Sequence, residues 1–331
     1  MVTTQMMDVA REFLRPAGWR GKTPDPKALE GSLIFRRDRR VTSFDGTDIA
    51  YSVHGQKGPW VVLVPGFVCP DNFWKYLVPE LERDHRIIVY DLRGLGLSGT
   101  PHEPGHRARG LDAEDFSIPS QVRDLEAVLD AEGIEEATLV GHSMGGQILM
   151  EAYRLIPQRI SSLVMLTAPF ESPMRTFYGR DFSTVFHVTR RVFSVLPRSS
   201  VLVWRLLLLV NPKLTHELTK LTRALGPRAK LEDMNPYYRH MAYLDPLVIL
   251  MMAESMRSHS ARDILRQVKV PTLIIAGTKD TFTPPAVAKL MNAEIPDSKL
   301  VMVEDASHGA VIESPVEIND AIRRFLEAND T

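Results

Sequence analysis

At 331 residues the chain has room for two compact units, or for one large α/β core carrying an insertion. Lys+Arg is 40 against Asp+Glu 41, so a net charge of -1 offers no footprint for a nucleic-acid backbone, and 44% hydrophobic with 24% charged residues excludes disorder as the main state. A single cysteine, Cys69, excludes an intrachain disulfide and a thiolate zinc cluster.

In chain order, the first twenty residues are interrupted by Asp8, Arg11, Glu12 and Arg15, so they lack the unbroken apolar core of a secretory signal. Two prolines between Lys22 and Lys27 set off an N-terminal arm and linker, residues 1–31. From Val41 two extended pieces flank Asp45-Gly46, which reads as a hairpin because a tight turn wants residues tolerant of positive φ. Six apolar runs without alternation follow: Trp60 to Val64, Arg86 to Tyr90, Ala137 to Val140, Ser162 to Leu166, Thr272 to Ala276 and Leu300 to Val303. Such runs fit strands covered on both faces, as in a parallel sheet.

Between them lie helical patterns such as Pro119 to Glu132, with Val122, Leu125, Val128 and Leu129 at three- and four-residue spacing, and Gln147 to Leu155. Glu132, Glu135 and Glu136 then read as a solvated helix end. The predicted fold is α/β: a doubly wound, mostly parallel sheet with an antiparallel start. Its core spans 32–169 and 263–331, and a helical cap is inserted at 170–262, where no strand pattern is found. The longest apolar run there, Val201 to Val210, is broken by Arg205 and too short to span a bilayer, so a soluble, cytoplasmic protein is expected.

Chemistry concentrates at Gly141-His142-Ser143-Met144-Gly145, between a predicted strand and a predicted helix. That is the context of a nucleophile elbow: a sharp strand-to-helix turn exposing the serine hydroxyl at a helix start. A serine needs a base, and the base an orienting acid, in the chain order serine, acid, histidine. Asp280 and His308 each follow a predicted strand, as Ser143 does, so all three can converge at one sheet edge. Ser143 is read as nucleophile, His308 as general base and then acid, and Asp280 as the carboxylate that fixes the histidine tautomer. Glu171, after the strand ending near Thr167, is the alternative acid; Asp91 precedes Ser143 and is given a structural role. Oxyanion donors are expected at the N–H of Met144 and, in the loop Val64-Pro65-Gly66-Phe67-Val68, at the N–H of Phe67, since a proline cannot donate.

These features, with Asp91-Leu92-Arg93-Gly94-Leu95-Gly96-Leu97-Ser98, resemble the α/β-hydrolase fold superfamily over about Val41 to Leu326. In similar proteins the first loop commonly reads His-Gly where this chain has Pro65-Gly66. Haloalkane dehalogenases and epoxide hydrolases of this fold use an aspartate at the elbow, so Ser143 points instead to acyl transfer. The resemblance implies an esterase or monoacylglycerol-lipase-like enzyme acting on a small hydrophobic ester, with no metal or organic cofactor. Thioesterases, carbon-carbon bond hydrolases, cofactor-free perhydrolases and acyltransferases are similar too, as is a ligand sensor retaining the triad.

Other features weigh less. Cys69 reads as a buried thiol, and His102 and His106, though spaced like metal ligands, have no third ligand nearby. From Glu171 to Ser260 there are 13 Lys+Arg and 7 Asp+Glu, a basic excess in a chain of net charge -1. With Val201 to Val210 and Met251-Met252, this basic and apolar lid is a candidate for contact with an anionic lipid surface or for closing a long acyl pocket; the plainer expectation is an apolar face on the core and a solvated arginine face.

Overall fold

Each of the six runs read as strands forms one in the structure, a computed structural model that describes residues 32–101, 114–176, 208–209, 211–221 and 225–329. The predicted arm 1–31, His102, His106 and most of Val201 to Val210 lie outside the described residues. The strands are β1 (Arg39–Thr42), β2 (Asp48–His54), β3 (Trp60–Val64), β4 (Arg86–Tyr90), β5 (Ala137–His142), β6 (Ile160–Leu166), β7 (Thr272–Gly277) and β8 (Ser298–Val303). They form one sheet in the order β1-β2-β4-β3-β5-β6-β7-β8. β2 is antiparallel to β1 and β4, and all other neighbours are parallel.

The hairpin joining β1 and β2 turns at Gly46, whose φ of 86° is the left-handed backbone that Asp45-Gly46 predicts. Apolar runs without alternation are explained by the two faces of the sheet. Val62, Val64, Ile88, Tyr90 and Leu139 pack on one side, with Val122, Leu125 and Ile148 of α1 (Ile118–Ala131) and α2 (Met144–Leu155). Their strand neighbours Val61, Leu63, Ile87, Val89 and Val140 pack on the other, with Trp74, Leu77, Ile318, Ile322 and Leu326. Full burial of one such aliphatic side chain contributes roughly 1.5–3 kcal/mol, so a polar residue on either face would be costly.

α1 opens one residue earlier than its periodicity predicts, at a Ser117 cap whose hydroxyl accepts from the Ser120 N–H. Its far end departs from expectation. Glu132 is not a solvated end: its carboxylate accepts from Arg39 at 2.6 Å and from the Tyr51 hydroxyl at 2.8 Å, tying α1 to β1 and β2. Burial and that carboxylate push Tyr51 up to about 12.

The Asp91–Ser98 segment is held by buried charges. Arg37 donates to Asp91 and Asp71 at 2.7 and 3.1 Å, and Asp91 accepts from the Leu97 N–H at 2.9 Å. Asp91 thus has the structural place read from sequence. Fully buried Arg93 donates to both oxygens of buried Asp124 at 2.6 and 2.7 Å, to Asp45 and to the Asp115 carbonyl.

Between β6 and β7 the described residues contain no named strand. They hold α3 (Pro212–Leu221), α4 (Leu231–Tyr243) and α5 (Pro246–Ser258). Near the core, Glu171 and Ser260 form an isolated antiparallel bridge and the Ala261 N–H donates to the Phe170 carbonyl at 2.9 Å. After β7 comes α6 (Pro285–Glu294), and after β8 comes α7 (Pro315–Asn329), which closes the second face. Among the described residues no helix is long and apolar enough to cross a membrane.

Candidate active site

β5 runs two residues beyond its apolar core because Gly141 and His142 continue the parallel register opposite Met165 and Leu166. Ser143 then turns the chain with φ 53° and ψ -124°, a conformation that a non-glycine residue adopts only under constraint, and α2 begins at the next residue. Two glycines make the turn possible by close approach. A Cβ on Gly145 would lie 2.3 Å from the Val64 carbonyl oxygen, and one on Gly66 would lie 2.9 Å from the Ser143 Cβ. The loop after β3 therefore lies directly on the elbow.

Ser143, His308 and Asp280, predicted from three separate strand ends, are brought together. Ser143 Oγ lies 2.8 Å from His308 Nε2, and His308 Nδ1 lies 3.0 Å from Asp280 Oδ2. An ionised carboxylate only accepts, so Nδ1 carries the proton and Nε2 is free to accept from the serine hydroxyl. Asp280 is 3% exposed, and its other oxygen accepts from the Phe282 and Thr283 N–H groups at 2.8 and 2.9 Å. The alternative acid is not at the site: Glu171 bridges Ser260 and faces Arg262 at 3.5 Å.

The two predicted oxyanion donors flank the serine along the chain and across the loop. Among the described residues neither the Phe67 nor the Met144 N–H donates to a backbone acceptor. The loop is shaped by Val68, with φ 51°, and by the Cys69 N–H, which donates to the Gly66 carbonyl at 3.2 Å. The Cys69 thiol is buried and pushed up to about 12, which removes thiolate chemistry at neutral pH. Among the described residues no three His, Cys, Asp or Glu side chains are grouped to hold a metal ion.

Sequence reasoning missed the groups that brace the triad. Thr283 Oγ1 lies 2.6 Å from Asp280 Oδ2 and 2.8 Å from the Thr167 carbonyl, and the Phe282 ring stacks on His308 at 5.0 Å between centroids. A threonine three residues after an aspartate is a local turn signal that could have been read. His142 Nε2 donates to the His308 carbonyl at 3.2 Å, and Phe73 stacks on the His142 ring. Glu313 accepts from the Ser307 N–H at 2.8 Å and from the Gly226 N–H of the insertion at 2.8 Å, so it braces the loop that carries His308.

Two buried histidines give the fold a pH dependence. Burial pushes His142 down to about 3 and His240, on α4, down to about 4. In the unfolded chain both rings take up protons near pH 6.5. Below that pH the unfolded state binds more protons, so the stabilisation is complete above about 6.5 and is lost as pH falls toward 4. From pH 7 to 5.5 we expect a loss of about 1 kcal/mol per ring, measured by urea unfolding at both values. His240→Asn should remove one ring's share; identical pH dependence in the variant and the parent would contradict this.

A family model of the α/β hydrolase fold matches residues 59–315, a range that contains Phe67, Ser143, Met144, Asp280 and His308. RutD of Azorhizobium caulinodans, provisionally named a carbamate hydrolase, is 26% identical over 283 residues, covering 84% of this chain and 94% of its own. Bifunctional epoxide hydrolase 2 of Mus musculus is 23% identical over 304 residues, covering 82% of this chain, which spans 52% of that relative's length. Among solved structures, an esterase from Exiguobacterium antarcticum superposes with a TM-score of 0.68 at 21% identity, over 87% of this chain and 98% of its own. Strand order, elbow and family match agree, and the chain belongs to the α/β hydrolase fold family.

Proposed function

We propose that the protein is a serine hydrolase that cleaves a carboxylic ester with a hydrophobic acyl or alcohol group through an acyl-enzyme. The observation that carries this reading is the hydrogen-bonded chain from Ser143 through His308 to Asp280, at 2.8 and 3.0 Å. In the first half-reaction His308 Nε2 takes the hydroxyl proton as Ser143 Oγ bonds to the ester carbonyl carbon. The carbonyl oxygen becomes an oxyanion facing the Phe67 and Met144 N–H groups. Collapse breaks the bond to the alkoxy oxygen, which leaves as the alcohol with the proton from His308. Water then attacks the acyl-serine with His308 again as base, releasing the carboxylic acid and restoring the hydroxyl.

Asp280 holds the His308 ring with Nδ1 protonated and stabilises the imidazolium formed at each proton transfer. A serine at the elbow supports acyl chemistry over the aspartate chemistry of epoxide hydrolases in this fold. Hydrolysis of p-nitrophenyl esters from acetyl to palmitoyl tests the reading. Turnover with an optimum at a medium or long acyl chain is expected, and absence of Ser143-dependent release across the whole series from folded protein would overturn it.

A further inference from the structure

His240 lies on α4 of the insertion, fully buried, and is bonded at both ring nitrogens. The Gly96 N–H donates to Nε2 at 3.0 Å, so Nε2 is unprotonated and Nδ1 carries the hydrogen. Nδ1 then donates to the Val68 carbonyl at 3.2 Å. Its two partners lie 144 and 172 residues away in sequence, one in the Asp91–Ser98 segment and one in the loop over the elbow.

The Val68 contact continues toward the reaction centre through two peptide planes. The Val68 carbonyl shares a plane with the Cys69 N–H, which points the opposite way in a trans peptide and donates to the Gly66 carbonyl at 3.2 Å. That carbonyl in turn shares a plane with the Phe67 N–H, which is directed away from Cys69. The donors therefore run head to tail: Gly96 N–H, His240 Nδ1–H, Cys69 N–H, Phe67 N–H. Chains of this kind polarise one another, and each bond fixes the tilt of the next plane. The need for an outside hold is visible at Val68, a β-branched residue at φ 51°, which persists only where the surroundings enforce it.

We infer that His240 is a positioning residue for the oxyanion donor: through Val68 it orients the Phe67 N–H, and so makes the seating of the insertion's helix on the core a condition for transition-state stabilisation. This rests on the serine hydrolase reading above. The Glu313 carboxylate ties the same insertion to the His308 loop through Gly226, so the insertion is bonded to both loops that serve Ser143.

Two near-isosteric variants separate the ring's two bonds. His240→Asn keeps a donor at the Nδ1 position and gives up the Nε2 acceptor; His240→Gln keeps an acceptor at the Nε2 position and gives up the donor. Turnover of a p-nitrophenyl ester is measured per molecule titrated with a fluorophosphonate, so that only molecules with a competent Ser143 count. The expectation is a fall in kcat of about tenfold or more for Gln with KM within about twofold, and less than about threefold for Asn. A trifluoromethyl ketone, which forms the oxyanion on binding, should lose affinity for the Gln variant in parallel with kcat/KM.

Equal losses in the two variants, kcat of the Gln variant within twofold of the parent, or unchanged ketone affinity would overturn the inference. Should the Gln variant not fold, amide exchange at residues 67–69 decides: protection in His240→Asn equal to the parent supports the inference, and its loss with unchanged kcat overturns it. A parent protein that neither turns over esters nor reacts with the fluorophosphonate overturns the hydrolase reading itself, and this inference with it. An active parent with unaffected variants overturns only the inference.

Discussion

Ser143→Ala is expected to lower ester turnover by at least ~10³, because the nucleophile and its base act as a unit and removal of either leaves only binding and the oxyanion donors. The 2.8 Å contact to His308 Nε2 and the 3.0 Å contact onward to Asp280 make Oγ the group whose proton the base is placed to take. Folding should be little affected, since alanine bears the same backbone cost as serine at φ 53° and the lost hydroxyl bond is a single contact. The comparison is steady-state release of p-nitrophenol by the two proteins at matched thermal midpoints. Retention of more than a tenth of the parent's turnover would remove Ser143 from the mechanism.

Arg93→Met is expected to destabilise the fold by about 3–5 kcal/mol, the range for stripping one partner from a buried ion pair. Arg93 and Asp124 are both fully buried, and two of the guanidinium's hydrogen bonds, at 2.6 and 2.7 Å, go to that one carboxylate. With methionine in place, Asp124 keeps its burial and loses its counter-charge, while the aliphatic volume is largely conserved. Urea unfolding of the parent, Arg93→Met, Asp124→Leu and the double variant forms a cycle. The double variant should be less damaged than the sum of the singles. A loss below about 1 kcal/mol for Arg93→Met, or strict additivity, would show that the pair is not coupled as its geometry implies.

Most of the sheet was legible because parallel strands buried on both faces leave continuous apolar runs, and these set β3 and β4 to the residue. The site was legible for a related reason: the elbow, Asp280 and His308 each follow such a run. Where the reading stopped short, long-range pairing decided. β5 continues through Gly141 and His142 because β6 offers partners, although neither residue extends the apolar pattern. α2 begins at Met144, three residues before its periodicity becomes visible, because Gly145-Gly146 reads as a helix breaker while the structure uses Gly145 for approach to Val64. Glu132 looks like a solvated end until β1 and β2 are placed beside it. His240 carried no signal at all, since a lone histidine in a helical stretch acquires meaning only when chain segments 144 and 172 residues distant are folded against it.

The bridge between Glu171 and Ser260, with the Ala261 N–H on the Phe170 carbonyl, means that the chain departs from the core and re-enters it at adjacent points. Everything between those points is, for the sheet, a loop whose ends are already clamped. The entropic penalty of such a loop grows only as the logarithm of its length, about 0.6 kcal/mol per doubling, so the sheet is nearly indifferent to how many residues are threaded through that gate. Length can therefore change within the insertion at little cost to the sheet, provided that the buried positions packed on the core, such as Val248 and Met252, are kept. A graft exchanged at 171 and 260 would leave the strand register alone but would have to restore the bonds that His240 and Gly226 make to the loops beside Ser143.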